Sequence, residues 1–293
     1  MKSLVKDITW GMSKKEALKI GTEIRKRFVS QIDRISQSRN SGKFVHGYIY
    51  SPPGIGKTFT IKQQLDKSEI KYIKITGNIS MYAFGIQLCV INFHNPERED
   101  IVVFVDDCDS LFSTEENCNM MKNVLDGTKR FTYEKSLQSQ WSSLTEIQKE
   151  SVEYHKQEDK MGFEVPTDTM KFIFASNFML PVDDDIKKMK NKITTKSILL
   201  SHKNAIRSRC TVGDFDLNGA ELWGWIADVA LSTDCLDQYE ISDQAKLEVL
   251  DFVWRNWDSL TERSIRLVEK MAVIMNEYPN TYNTVWEIDF LKK

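Results

Sequence analysis

Ser51-Pro-Pro-Gly-Ile-Gly-Lys-Thr58 brings together the residue types that grip a polyphosphate. Backbone N–H groups must wrap around the phosphates, and Gly54 and Gly56 permit conformations that a Cβ would obstruct. Lys57 adds a mobile cation for the β- and γ-phosphates. Thr58, at the start of a helix, offers a hydroxyl to Mg²⁺, and the helix N-terminus adds its positive dipole end. Pro53, Ile55 and Phe59 complete the stretch expected to surround the nucleotide. In the pattern Gly-x-x-x-x-Gly-Lys-[Ser/Thr] the first glycine falls on Ser51, so only the Gly-x-Gly-Lys-Thr end is intact.

A second group of chemical residues follows the apolar run Ile101-Val-Val-Phe-Val105, which ends in Asp106-Asp107-Cys-Asp109. Carboxylates at the C-terminal edge of a buried parallel strand lie where ligands bind in such sheets, and Mg²⁺ would supply the counter-ion that burial demands. Asp106 is assigned to Mg²⁺, through water, and Asp107 to orienting or deprotonating the attacking water.

The elements that must position these groups can be read from periodicity. Ala17, Leu18, Ile20, Ile24, Phe28, Val29 and Ile32 predict an amphipathic helix over 12–35. Strands are predicted over 43–51, 70–75, 101–105 and 170–175, with helices from Thr58 and over 80–93. Strands alternating with helices predict an α/β fold, a three-layer αβα domain around a mostly parallel sheet. Residues 129–169 are polar and charged, as a solvated insertion or mobile helix would be. After about Thr211 apolar residues recur only at helical steps, so the expected division is a nucleotide-binding domain over 1–212 and a small helical lid over 213–293.

With these residues in place the chain resembles the AAA+ ATPases, P-loop ATPases that work as rings. The resemblance covers nearly the whole chain and implies ATP and Mg²⁺ as cofactors and ATP hydrolysis as the activity. Phe172-Ile-Phe-Ala-Ser-Asn177 is similar to the sensor 1 strand, which implies that Asn177 hydrogen-bonds the γ-phosphate or the water. Ala205-Ile-Arg-Ser-Arg-Cys210 is similar to the box preceding the lid, in the Ser-Arg-Cys spelling of clamp loaders. Arg209 is thereby the candidate arginine finger acting on a neighbour's nucleotide, and Arg207 the alternative. Ser264-Ile-Arg266 resembles the sensor 2 arginine, with Arg263 as the other choice. The family usually places Glu after the metal-binding Asp, whereas this chain has Asp107, one methylene shorter, so slow hydrolysis is an option. Asp-Asp-Cys-Asp-Ser-Leu-Phe and Asn123-Val-Leu-Asp126 look most like small AAA+ ATPases of large tailed phages.

The resemblance implies a homo-oligomeric ring, with a hexamer first among five-, six- and seven-membered options. Three functions compete: an ATP-driven factor remodelling a replication-type nucleic-acid complex, a protein remodeller, and a slowly hydrolysing, ATP-gated assembly module. DNA or a replication protein is the expected partner. Lys187, Lys188, Lys190, Lys192 and Lys196 would hold DNA phosphates, or form a solvated helix face. Met81-Tyr-Ala-Phe-Gly85 is a pore-loop candidate through Tyr82 or Phe84, though a helical core aromatic is the preferred reading. Trp223, Trp225, Trp254 and Trp257 are expected to pack helices rather than stack bases.

Composition bounds the rest. Forty basic against forty-two acidic residues leave a formal charge of -2, so no global field draws the chain to nucleic acid or membrane. Five scattered cysteines and four isolated histidines form neither a disulfide framework nor a zinc motif. With no long apolar stretch and no secretory core in Met-Lys-Ser-Leu-Val-Lys-Asp, a cytoplasmic protein is expected, in the host cytoplasm if phage-encoded.

Overall fold

The strand at the centre of the sheet shows why the elements fall where they do. A computed structural model describes residues 11–38, 46–126, 128–157, 161–181 and 195–292. In it β3 (Ile101–Asp106) is buried at every position, lying between β2 (Tyr72–Thr76) and β6 (Met170–Ser176). An unbroken Ile/Val/Phe run is what a parallel strand covered on both faces requires. With β1 (His46–Tyr50) and β7 (Cys210–Asp214) the order is β2-β3-β6-β1-β7, every pairing parallel. Neighbouring residues of β6 mark the two faces. Lys171 donates to Ser36 O of α1 (Lys14–Gln37) at 3.2 Å, while the Phe172 ring meets Phe84 of α3 (Met81–Phe93) at 6.2 Å between centroids. Helix on sheet on helix is the three-layer α/β arrangement expected.

β7 is an addition to the expected strands. It is a short edge strand of Cys-Thr-Val-Gly-Asp, with too few apolar residues to stand out from a helical stretch.

Residues 129–169 carry more structure than expected. Their ends form the antiparallel pair β4 (Arg130–Tyr133) and β5 (Phe163–Pro166), while α5 (Gln138–Trp141) and α6 (Glu146–His155) between them leave most of residues 134–150 exposed, as a solvated insertion does. Phe131, Val152, Phe163 and Val165 join the same core as Phe84, Val103 and Phe172. Phe84 reaches from the sheet side to Phe131, 6.0 Å away. That explains why α3 is apolar on most sides: the sheet covers one face and β4–β5 another. Only alternate residues of each short strand are apolar, so the segment's average is polar while its inner face is not.

Contacts divide the chain into two units. One comprises Met1–Ser30, Ser51–Ile61 and Phe215–Lys293, the other Gln31–Tyr50 and Lys62–Asp214. α1 as far as Ser30 and the loop at 51–58 thus group with the C-terminal helices, whereas the expected division set them in the nucleotide-binding domain over 1–212. Those helices are α8 (Gly219–Ser232), α9 (Asp243–Arg255), α10 (Ile265–Glu277) and α11 (Tyr282–Phe290), preceded in the chain by α7 (Thr195–Arg207) of the other unit. The sequence alone hides this grouping because it rests on contacts remote along the chain. A Cβ on Gly21 of α1 would lie 1.9 Å from the Gly224 carbonyl carbon of α8, so two glycines let these helix backbones touch. Phe28, Phe215 and Trp225 interlock beside that crossing. Trp223 and Trp254 meet edge to face at 4.6 Å, and with Trp257 they are buried packing residues. Among the described residues no helix is long and apolar enough to cross a membrane.

Candidate functional site

The loop at Ser51–Thr58 follows β1 directly and opens α2 (Lys57–Lys67). Gly54 and Gly56 have φ of +82° and +81°, the left-handed region that side chains resist. Three consecutive carbonyls of this loop are engaged. Gly54 O accepts from Ile265 N at 2.8 Å, Ile55 O from the Trp225 indole at 2.6 Å, and Gly56 O from Thr60 N at 2.9 Å. A trans peptide holds its C=O antiparallel to the next N–H, so the N–H groups of Ile55, Gly56 and Lys57 point away from those partners. Successive backbone donors left facing away from the protein are what anion-binding loops present. Lys57 is buried, its ammonium 3.5 Å from Ser51 O at the loop's start. Ile55 is buried in the unit's core, Thr58 and Phe59 are half-buried, and Pro53 is exposed.

Arg266 stands in the same unit, in the first turn of α10 and exposed. The helix start it occupies is the one that bonds Gly54. Ser264 caps it, and a Cβ on Gly54 would come within 2.7 Å of the Ser264 Cβ. Arg263 is committed elsewhere: its Nε donates to Trp257 O at 2.9 Å and its guanidinium covers the Trp257 ring.

In the other unit, β1, β3 and β6 end level with one another, with Tyr50 opposite Ser176 and Asp106 opposite Ala175. Asp106 is buried, and Lys74 of β2 lies 2.9 Å from its Oδ2. Asp107 is exposed, has φ of +54°, and is anchored by its N–H donating to Ala175 O at 3.1 Å. Its Oδ1 accepts from Asn177 Nδ2 at 2.8 Å, so the structure joins two residues that the sequence placed 70 apart. Below them Ser176 donates to Asp109 and accepts from the Tyr48 phenol at 2.8 Å, a brace under the strand end. Cys108 lies among these carboxylates. Burial first, and then the neighbouring Asp106, Asp109 and Asp107 charges, push its thiol up to about 12, so it stays a neutral thiol.

Arg209 is not beside Asp107 or Asn177. Its Nε and Nη2 donate to Asp126 Oδ2 at 3.2 and 2.7 Å, just past the end of α4 (Glu115–Leu125), and its Nη1 donates to Ala205 O at 2.7 Å. Arg207 donates to Leu180 O at 3.0 Å. Of the other candidates, Phe84 is fully buried and Tyr82 half-buried against Tyr133, both within α3. Lys187, Lys188, Lys190 and Lys192 lie outside the described residues, and so does the side chain of Lys196. All five cysteines are free and buried.

Lys74, Ser264 and Ile265 are the members of these arrangements that sequence reasoning missed or passed over. For Lys74 the available signal was a cation in the middle of a strand pattern, two residues before the strand end.

Residues 48–196, just over half of the 293-residue chain, match the profile of the ATPase family associated with various cellular activities (AAA). The chain is also similar to a protein of Enterobacteria phage T4 described as an uncharacterized 36.7 kDa protein in the nrdC-mobD intergenic region. The two are 26% identical over 272 residues, which covers 91% of this chain and 73% of the phage protein.

Proposed function

The chain belongs to the AAA family of ATPases, and on that premise we propose that it binds ATP with Mg²⁺ and hydrolyses it at interfaces between copies of itself, driving the remodelling of a replication-type nucleic-acid complex. One observation carries the binding step: the carbonyls of Gly54, Ile55 and Gly56 are engaged, so the following N–H groups face the other way as an anion cradle. Both glycines hold left-handed angles that would strain any other residue. Lys57, at the cradle's end, supplies a compact cation for the β- and γ-phosphates.

Thr58 and Asp106 would hold Mg²⁺, which when bound neutralises charge developing on the phosphate oxygens. That Asp106 already has an ammonium group at 2.9 Å is a sign that this carboxylate accepts a cation. Asp107 orients the attacking water and takes its proton. Asn177 holds the carboxylate at one oxygen, leaving the other for that work. Arg266 binds phosphate oxygens from the start of α10, and Arg209 completes the neighbouring copy's site.

The nucleic-acid role is supported by the Ser208-Arg209-Cys210 resemblance to clamp loaders. A second reading, a slowly hydrolysing ATP-gated assembly module, is favoured by the short reach of Asp107 and by the hydrogen bond that ties it to Asn177. Titration calorimetry with ATP and Mg²⁺ tests the binding step: wild type should give a saturable heat that Lys57→Ala abolishes, and no heat from folded wild type would end the proposal. Turnover measured alone, with single-stranded DNA, with duplex DNA and with a denatured protein then separates the roles. Stimulation by DNA that weakens with salt fits the first reading, and stimulation by denatured protein fits an unfoldase instead.

A further inference from the structure

Asp106 has a neighbour that the family pattern does not require. On β3, Phe104 and Asp106 project from one face, because alternate residues of a strand do. Lys74 of β2 is the register partner of Phe104, and its ammonium reaches along that face to Asp106 Oδ2 at 2.9 Å. The same ammonium lies 5.5 Å from the Phe104 ring centroid. The carboxylate side chain is 7% exposed and the lysine side chain 33%. An ionised carboxylate at such depth is costly without a nearby positive charge, and breaking a buried pair by deleting one partner is more damaging than never having had it.

We propose that Lys74 is a resident counter-ion of Asp106 in the nucleotide-free protein, and that it releases Asp106 when the magnesium-bound nucleotide arrives. This rests on the ATP-binding reading above. The physical reason is competition for one carboxylate. An ammonium already in contact and a dication held directly or through water would repel each other across a few ångströms. The ammonium can yield, because its stem is flexible, its side chain is partly exposed, and the Phe104 face offers a cation–π contact. Lys74 therefore sets how much Mg²⁺ the protein needs before nucleotide binds, and it keeps β2 and β3 stapled while the site waits.

The test uses full-length protein and two readouts other than turnover: binding of a fluorescent ATP analogue as Mg²⁺ is raised, and thermal unfolding without nucleotide. Lys74→Met and Lys74→Gln should reach half-maximal binding at roughly threefold to tenfold less Mg²⁺ than wild type, as loss of a partly buried competitor implies. Both should unfold a few degrees earlier when nucleotide-free, and adding Asp106→Asn to Lys74→Met should recover most of that loss. Lys74→Arg, which keeps the charge, should resemble wild type. Unchanged or increased Mg²⁺ demand in the Met and Gln variants would overturn the proposal while leaving ATP binding intact. Wild type that binds no analogue at any Mg²⁺ concentration would instead remove the ATP reading. In that case strictly additive unfolding shifts for Lys74→Met and Asp106→Asn would overturn the counter-ion role as well.

Discussion

Asp107 stands where β3 leaves the sheet and turns, with φ of +54° and its N–H on Ala175 O. Short polar residues tolerate that conformation better than most, and strain of this kind persists where the surroundings hold it. The hydrogen bond from Asn177 then fixes the carboxylate's direction. For a general base, Asp107→Asn should lower kcat by at least about a hundredfold while ATP affinity stays within about twofold, since the amide keeps the shape and loses the proton acceptor. Steady-state turnover with calorimetry checks both halves, and an unchanged kcat would favour the assembly-module reading. The glycine loop and the Asp-Asp pair were legible in the sequence because each motif is local: residue types within a few positions define the chemistry. Lys74 was not, because its partnership with Asp106 exists only once β2 and β3 are paired in one register.

At the scale of elements, the loop's shape is held by helices far along the chain. Trp225 is fully buried in α8, and its indole N–H ends on Ile55 O. Trp225→Phe keeps an aromatic ring but leaves that carbonyl without this donor, which costs about 1–3 kcal/mol for a buried group. The expected result is a melting temperature lower by several degrees and ATP affinity reduced several-fold, read by calorimetry and thermal unfolding on the same preparation. If stability falls with affinity untouched, the indole braces the unit but not the cradle. This bracing was invisible beforehand: helical spacing identified Trp225 as a packing residue, but nothing in its neighbours names Ile55. The four strands that were legible have apolar runs or strong alternation, whereas β7, β4 and β5 are four or five residues each, with their inner residues diluted by polar ones. Only the pairing of β7 with β1, and the cover that β4 and β5 give α3, reveal them.

For the molecule as a whole, stability should fall as the solution is acidified, and His46 supplies the reason. It is buried at the start of β1, its Nδ1 accepts from Phe172 N at 3.2 Å, and burial, aided by Lys129, lowers its pKa from 6.5 to about 3. The unfolded chain binds the proton first, so this contribution is complete above the unfolded value and is lost as pH falls from about 6.5 towards 3, about 2 kcal/mol by pH 5. Urea midpoints at pH 7 and pH 5 should show the loss, and His46→Gln should flatten it. A larger question at this scale is whether neighbouring copies share sites, as a ring of head-to-tail interfaces would allow. Diluting wild type with Arg209→Ala is a weak test, because every wild-type finger still completes some neighbour's site and total turnover need not change. Mixing two dead variants is sharper. Arg209→Ala retains its own Asp107 but offers no finger, while Asp107→Asn retains its finger and lacks the base. Where a finger from the second meets the nucleotide of the first, a complete site forms. With random equimolar mixing that happens at about a quarter of the interfaces, so turnover should return to about a quarter of the wild-type value per subunit. Each variant alone stays near background. Were Arg209 to act only within its own chain, or to serve chiefly as the partner of Asp126, the mixture would be as inactive as its components.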